Sequence, residues 1–273
     1  MVPTMFDAYL SRWNLTPDGA PIETHAARLL PVIHQGAPAM LKIALQEDER
    51  QGGVLMRWWD GHGAARVLAH DDDAILLERA MGPRSLAAYA RTGRDDEATR
   101  ILCGVLNDLH APRAKPLPPL RGLEEWFTDL WPMAQSHGGI LAESARYARA
   151  LLDDPRDVSV LHGDMHHDNV LDFGERGWLV IDPKRLTGER TFDYANIFCN
   201  PDLSDPKPPV ATVPGCFERR LQIVVDESGL ERRRLLQWVV AWCGLSAAWY
   251  LGDGDDAAVD LNIAHQALAL LRV

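Results

Sequence analysis

The sequence predicts an α+β chain of two lobes, a small β-rich lobe over residues 1–80 and a larger, mainly helical lobe over residues 81–273. Two patterns carry this. Residues 20–80 hold short apolar runs separated by turn residues, with one helical stretch among them. Past Ala80 the apolar positions fall at helix spacing, and Pro-rich breaks separate the segments. A chain of 273 residues is long enough for two lobes with a substantial core.

In chain order, residues 28–33 and 39–44 are apolar runs around His34-Gln35-Gly36, a hairpin signal. Residues 47–59 read as a helix ending near Asp60-Gly61. Residues 67–68 and 74–77 read as two more strands around Asp71-Asp72-Asp73. In the large lobe, Ile101, Leu102, Val105, Leu106 and Leu109 form a helical stripe, and residues 112–119 are a Pro-rich break. Residues 124–134 and 140–152 read as helices, 158–161, 170–173 and 178–181 as strands, and 202–214 as a Pro-rich loop. Helices over about 231–251 and 256–271 close the chain. A β-rich lobe followed by a helical one leaves a cleft at the boundary, where ligands usually bind.

Hydrophobic content of 47% and charged content of 25% suit a soluble globular protein. A net charge of −11 argues against a broad nucleic-acid surface and favours cationic partners. Cys103, Cys199, Cys216 and Cys243 form no C-x-x-C pair, which suits reduced thiols in a cytoplasm. No signal peptide is expected in residues 1–15. The apolar run 235–251 reads as a buried core helix, so no membrane partner is expected. The oligomeric state is left open.

The segment His162-Gly163-Asp164-Met165-His166-His167-Asp168-Asn169, followed by Ile181-Asp182-Pro183, carries the chemistry. An Asp and an Asn five apart, with a second Asp after the next apolar run, is the working set of a phosphoryl-transfer site. Asp164 would orient and deprotonate an attacking hydroxyl, and Asn169 and Asp182 would hold magnesium against nucleotide phosphates. Folding residues 170–181 as a hairpin about Gly174-Glu175-Arg176-Gly177 sets Asn169 opposite Asp182. The three histidines of this loop lack transition-metal spacing, and His162 is expected to brace the loop from inside. Lys42, inside an apolar strand, calls for a partner, and Glu49 on the next helix can supply one. That pair would position the α- and β-phosphates. The backbone at Glu78 and Ala80, between the lobes, would meet an adenine edge. There is no G-x-G-x-x-G loop and no Walker A motif, and the candidate phosphate cover, residues 23–28, holds no glycine.

These motifs, with Gly188-Glu189, Gly244-Leu-Ser-Ala-Ala-Trp249 and Asp260-Leu261, resemble the aminoglycoside phosphotransferases over about residues 20–270. The resemblance is narrower to the streptomycin 6-kinase branch, the aminoglycoside/hydroxyurea resistance kinases. It implies a protein-kinase-like bilobal fold, ATP as co-substrate and Mg2+ as cofactor. It implies Asp164 as base, Asn169 and Asp182 as metal ligands, Lys42 and Glu49 as the phosphate-positioning pair, and Asp193 as a brace of the catalytic loop from a helix start. Pro183-Lys184 stands where protein kinases carry Phe-Gly, so no Phe-driven switch is expected. The acceptor would be a small cationic hydroxyl compound such as streptomycin, lying near Trp249, Asp253, Asp255 and Asp256. The alternatives are a kinase of the same fold for an amino alcohol or sugar, or a nucleotide-binding protein with little transfer activity.

Overall fold

The computed structural model describes residues 5–272, apart from the side chains of residues 47–52. The small lobe runs α1 (Asp7–Arg12), β1 (Leu15–Pro17), β2 (Ile22–Glu23), β3 (Ala27–His34), β4 (Ala37–Ala44), α2 (Glu47–Trp59), β5 (Val67–His70) and β6 (Ala74–Glu78). Its antiparallel sheet has the order β1-β3-β4-β6-β5, with β2 on β3. The β3–β4 turn is two residues, Gln35 and Gly36, with φ of 53° and 81°. That left-handed pair matches the twist of the flanking strands. Strand alternation sends Leu30, Val32, Ala39, Leu41, Ile43 and Leu76 to one face, where Phe6 and Leu15 close a small core. Lys42, out of phase with these, faces the other way. Helix α2 stops where Asp60 turns left-handed, at φ 53°.

The large lobe runs α3 (Leu86–Tyr89), α4 (Asp95–His110), β7 (Arg121–Gly122), α5 (Leu123–Trp126), α6 (Leu130–His137), α7 (Gly139–Asp153), β8 (Val158–Leu161), β9 (Val170–Asp172), β10 (Trp178–Val180), β11 (Leu186–Glu189), α8 (Thr191–Ala195), α9 (Cys216–Ser228), α10 (Arg232–Asp253) and α11 (Ala258–Leu271). Helix α10 is its axis, packed against α11, α7, α8 and α6. At 22 residues it outruns the apolar stretch read from sequence, because Arg232–Arg234 and Gly252-Asp253 stay helical at its ends. It is long and apolar enough to cross a membrane, yet most of it is buried inside the lobe.

Three expectations need correction. Residues 124–134 are two helices, α5 and α6, because Phe127 is pinned against Phe192 and Trp238 and the chain re-enters a helix only at Leu130. Helix α9 was not anticipated, and neither was β11, which lies between β7 and β8. The β9–β10 register pairs Val170 with Val180, so Asn169 meets Ile181 and not Asp182.

The linker between the lobes is stapled to the β9–β10 hairpin. Gly82 N–H donates to the Asp172 carbonyl at 2.9 Å. A Cβ there would lie 2.0 Å from the Asp172 carboxylate, so only glycine fits. Arg84 makes two bonds of 2.7 Å to the same carboxylate and lies over the Trp178 ring. The guanidinium holds the Asp172 carboxyl well below the usual range.

Helix α9 is locked to α4 by a buried ion pair, Arg220 to Asp95 at 2.6 Å. Arg220 also donates to the carbonyls of Ile197 and Asn200, at 2.7 and 2.6 Å. Arg220→Ala leaves two carbonyls without the guanidinium and a buried carboxylate with only the Cys216 thiol. It should cost about 3–5 kcal/mol, read as a lower urea midpoint at unchanged m. A loss under about 1 kcal/mol would show that Asp95 finds water or another donor.

Candidate active site

The catalytic loop begins where β8 ends. Asp193, buried in α8, accepts the His162 N–H on Oδ2 and the Gly163 N–H on Oδ1, both at 2.8 Å. His110, in the last turn of α4, bonds the same carboxylate at 2.8 Å. The His162 ring is fully buried, and burial lowers its pKa. Its Nδ1 accepts the Asp164 N–H at 3.2 Å, which leaves Nε2–H to donate to the Ile181 carbonyl at 2.8 Å. Trp59 stacks on it with centroids 6.3 Å apart. One neutral imidazole therefore ties the loop to the strand that delivers Asp182.

Asp164 is half-buried and doubly oriented. Its Oδ1 accepts from Asn196 Nδ2 at 3.0 Å, and its carbonyl accepts from Asn169 Nδ2 at 2.8 Å. Its Oδ2 lies 3.8 Å from Lys184 Nζ. Asn169 spends its amide on Asp164, and its Oδ1 has no donor among the described residues. Asp182 sits in a left-handed conformation, φ 60°, and gives Oδ1 to Lys42 Nζ at 2.6 Å. Its Oδ2 likewise has no donor among the described residues. Two unspent hard oxygens on adjacent strand ends fit a magnesium ion completed by phosphates and water.

The Lys42–Glu49 pair lies outside the described residues, because the Glu49 side chain is among those left out. Within the described residues Lys42 is buried and meets Asp182 across the lobe boundary. The Glu78 N–H is taken by the Arg66 carbonyl at 3.0 Å, and its carboxylate is held by Arg176. Only the Glu78 carbonyl and the backbone of Ala80 therefore remain for a base edge. Residues 24–27 form a tight turn between β2 and β3, closed by the Thr24 hydroxyl on Ala27 N–H at 2.9 Å.

Asp164 opens onto a cavity of about 770 Å³ between the lobes. One wall is aromatic, with Trp126, Trp242, Trp249 and Tyr250. Trp126 meets Trp249 edge-on at 5.5 Å, and Trp249 Nε1 donates to Asp129 at 3.0 Å. Glu125, Asp129, Asp253 and Asp255 add four carboxylates to Asp164, against Arg121 and Lys184. Trp249, Asp253 and Asp255 thus line the cavity with Asp164. Asp256 does not, since its carboxylate accepts the Ala258 N–H at 2.9 Å at the start of α11. Sequence reasoning missed Asn196, Lys184, Trp126 and Asp129. Asn196 lies in the Phe192-Asp193-Tyr194-Ala195-Asn196 motif, so only its role went unread.

The chain matches the family described as aminoglycoside/hydroxyurea antibiotic resistance kinase over residues 12–254. It is 55% identical over 266 residues to a streptomycin 3''-kinase of Klebsiella pneumoniae, covering 96% of this chain and 100% of that one. It is 33% identical over 277 residues to a streptomycin 6-kinase of Streptomyces glaucescens, covering 95% and 88%. A thermostable mutant of aminoglycoside phosphotransferase APH(4)-Ia, solved with AMP-PNP and hygromycin B, superposes with a TM-score of 0.68 at 15% identity, covering 99% and 98%. At that identity the likeness is one of fold, the protein-kinase-like bilobal fold.

Asn196→Ala frees the Asp164 carboxylate from its one side-chain anchor on Oδ1. A hydrogen bond to a charged group is worth about 1.5–3 kcal/mol, so kcat should fall roughly ten- to hundredfold. Acceptor KM should move little, and steady-state kinetics separate the two. A kcat within twofold of the parent would mean that Asp164 is positioned by its backbone and Asn169 without Asn196.

Proposed function

The chain belongs to the aminoglycoside/hydroxyurea antibiotic resistance kinases, and we propose that it moves the γ-phosphoryl group of ATP to the 3''-hydroxyl of streptomycin in the cytoplasm. The observation that carries this is Asp164, oriented by Asn196 and facing an aromatic, acidic cavity large enough for a small polycation. The relative of 55% identity, matched over its whole length, favours the 3'' position over the 6 position.

ATP would enter between the lobes with its adenine edge on the Glu78 carbonyl and the Ala80 backbone. Lys42 would turn from Asp182 to the α- and β-phosphates. Asn169 Oδ1 and Asp182 would hold Mg2+, which would neutralise phosphate charge. The acceptor would lie against Trp249 and Trp126, its cationic groups toward Asp129, Asp253 and Asp255. Lys184, beside Asp164, would meet the charge of the transferring group. Asp164 would take the hydroxyl proton late, as the phosphoryl group reaches the acceptor oxygen. Most of the rate would come from positioning and charge neutralisation.

Asp164→Asn should retain ATP binding and lose turnover by ~10²–10⁴, the usual contribution of a positioned base. The parent product should carry its phosphate on the 3''-oxygen, assigned by phosphorus–proton correlation in NMR. A phosphate on the 6-oxygen would overturn the regiochemistry. ADP release with amino alcohols or sugars, and none with streptomycin, would overturn the acceptor.

Asp253→Asn combined with Asp255→Asn should raise streptomycin KM several-fold and change ATP KM less. The parent's streptomycin KM should itself rise with salt, because exposed charge attraction is screened over about a Debye length. A double variant with unchanged KM at both ionic strengths would make these two carboxylates a solvated helix end.

A further inference from the structure

Behind the acceptor cavity lies a cluster that phosphoryl transfer does not use. Cys199 follows α8, Cys243 sits within α10 and Asp260 lies in the first turn of α11. One ligand atom from each falls within 4.8 Å of the others. The two Sγ atoms are 3.5 Å apart. All three residues are completely buried.

Asp260 is the informative member. The Cys199 thiol and the Ser246 hydroxyl adjoin its carboxylate, but neither oxygen has a well-formed hydrogen bond among the described residues. An ionised carboxylate in such a place needs a cation. A neutral acid would still have an O–H to place and a carbonyl to satisfy. Two buried arginines of the same lobe are committed elsewhere, Arg220 to Asp95 and Arg234 to Glu189. Two thiols and a carboxylate at this spacing form the donor set of a thiophilic tetrahedral cation. A zinc ion with Zn–S of about 2.3 Å sets its sulfurs ~3.8 Å apart, a few tenths from the separation here.

We propose that Cys199, Cys243 and Asp260 form a site for a thiophilic divalent cation, zinc foremost, which ties α10, α11 and the segment after α8 together beneath the acceptor cavity. Ser246 lies one turn beyond Cys243 in α10, adjoins Asp260 and lines the cavity floor. The fourth coordination position, and the route from solvent, therefore run past Ser246. The segment that carries Cys199 also carries Asn196, which orients Asp164, and Asn200, which lines the cavity. A bound ion would stiffen both. Because the thiols must lose their protons to bind, loading releases protons and weakens in acid.

The test uses the full chain stripped with a chelator and titrated with Co2+ alone, both folded and during refolding, so that slow access to a buried site is covered. The expected result is one equivalent bound per chain, with thiolate-to-cobalt charge-transfer absorption that Zn2+ abolishes. Cys199→Ser and Cys243→Ser should each remove that absorption, and Cys103→Ser, a buried thiol elsewhere, should keep it. Zn2+ should raise the parent Tm by several degrees and leave Asp260→Asn unmoved. That variant keeps both thiols and needs no cation. No thiolate absorption from either route, or absorption that survives Cys199→Ser, would overturn the site. If the serine variants do not fold, the parent's stoichiometry and the Asp260→Asn melting curve decide. None of these readouts depends on phosphoryl transfer, so the streptomycin-kinase proposal can fail or hold separately.

Discussion

The site hangs on one buried carboxylate. Asp193 carries its charge into a dry interior, which is unfavourable unless its lone pairs are filled. They are filled by two backbone N–H groups at the turn into the catalytic loop and by His110. Charge-assisted bonds of this kind contribute about 1.5–3 kcal/mol each, and far more is lost when one partner is removed. The carboxylate therefore dictates the backbone at His162 and Gly163, and with it the direction in which Asp164 leaves β8. The neutral His162 ring carries the same constraint across to Ile181, one residue before Asp182. Asp164 and Asp182 are thus both set from a single origin 11 residues beyond Asp182 in the chain.

The same economy governs the join between the lobes. A nucleotide bound as proposed would touch the linker at its base and the β9–β10 hairpin at its phosphates, so the distance between these two elements would have to be held. Asp172 takes Arg84 on its carboxylate and Gly82 on its carbonyl, and Arg176 in the hairpin turn takes Glu78. Linker and hairpin behave as one body. The bond that would have to open for a nucleotide is Lys42–Asp182, which pairs a buried cation with a carboxylate one-third exposed. Incoming phosphates and their metal would substitute for each partner in turn. The pair keeps both charged groups compensated until then.

What the sequence disclosed was local. The β3–β4 hairpin, the bounds of α2 and the Asp164–Asn169 spacing are set by residues within a few positions of one another, and periodicity or turn chemistry reads them. The Asn169–Asp182 pairing was misread by one residue, because a turn centred on Glu175 sets 169 opposite 181. Helix α9 escaped notice although Phe217, Leu221 and Val224 form a stripe, because Arg220 belongs to the buried face and breaks it. Its burial makes sense only beside Asp95, 125 residues earlier. Asn196 on Asp164 and Asp129 on Trp249 are likewise contacts that only the folded chain makes. Asp256 was placed with the acceptor wall because an exposed acidic run looks the same whether it caps a helix or faces a cavity.

Asp164 cannot choose its acceptor. As a base it would be indifferent to which hydroxyl brings the proton, and Lys184, 3.8 Å away, would meet only the phosphoryl group. Selection must fall to the wall across the cavity. There the aromatic rings Trp126 and Trp249 are held edge to face, and Trp249 is fixed in turn by Asp129. Rings locked in this way lose little entropy when they stack on a rigid ligand. The carboxylates along the rim act over longer distances and set how readily a cation arrives. Affinity would then come from charge and regiochemistry from shape. A change that rotates the Trp126–Trp249 corner would move a different hydroxyl onto Asp164 without altering any group that performs the transfer.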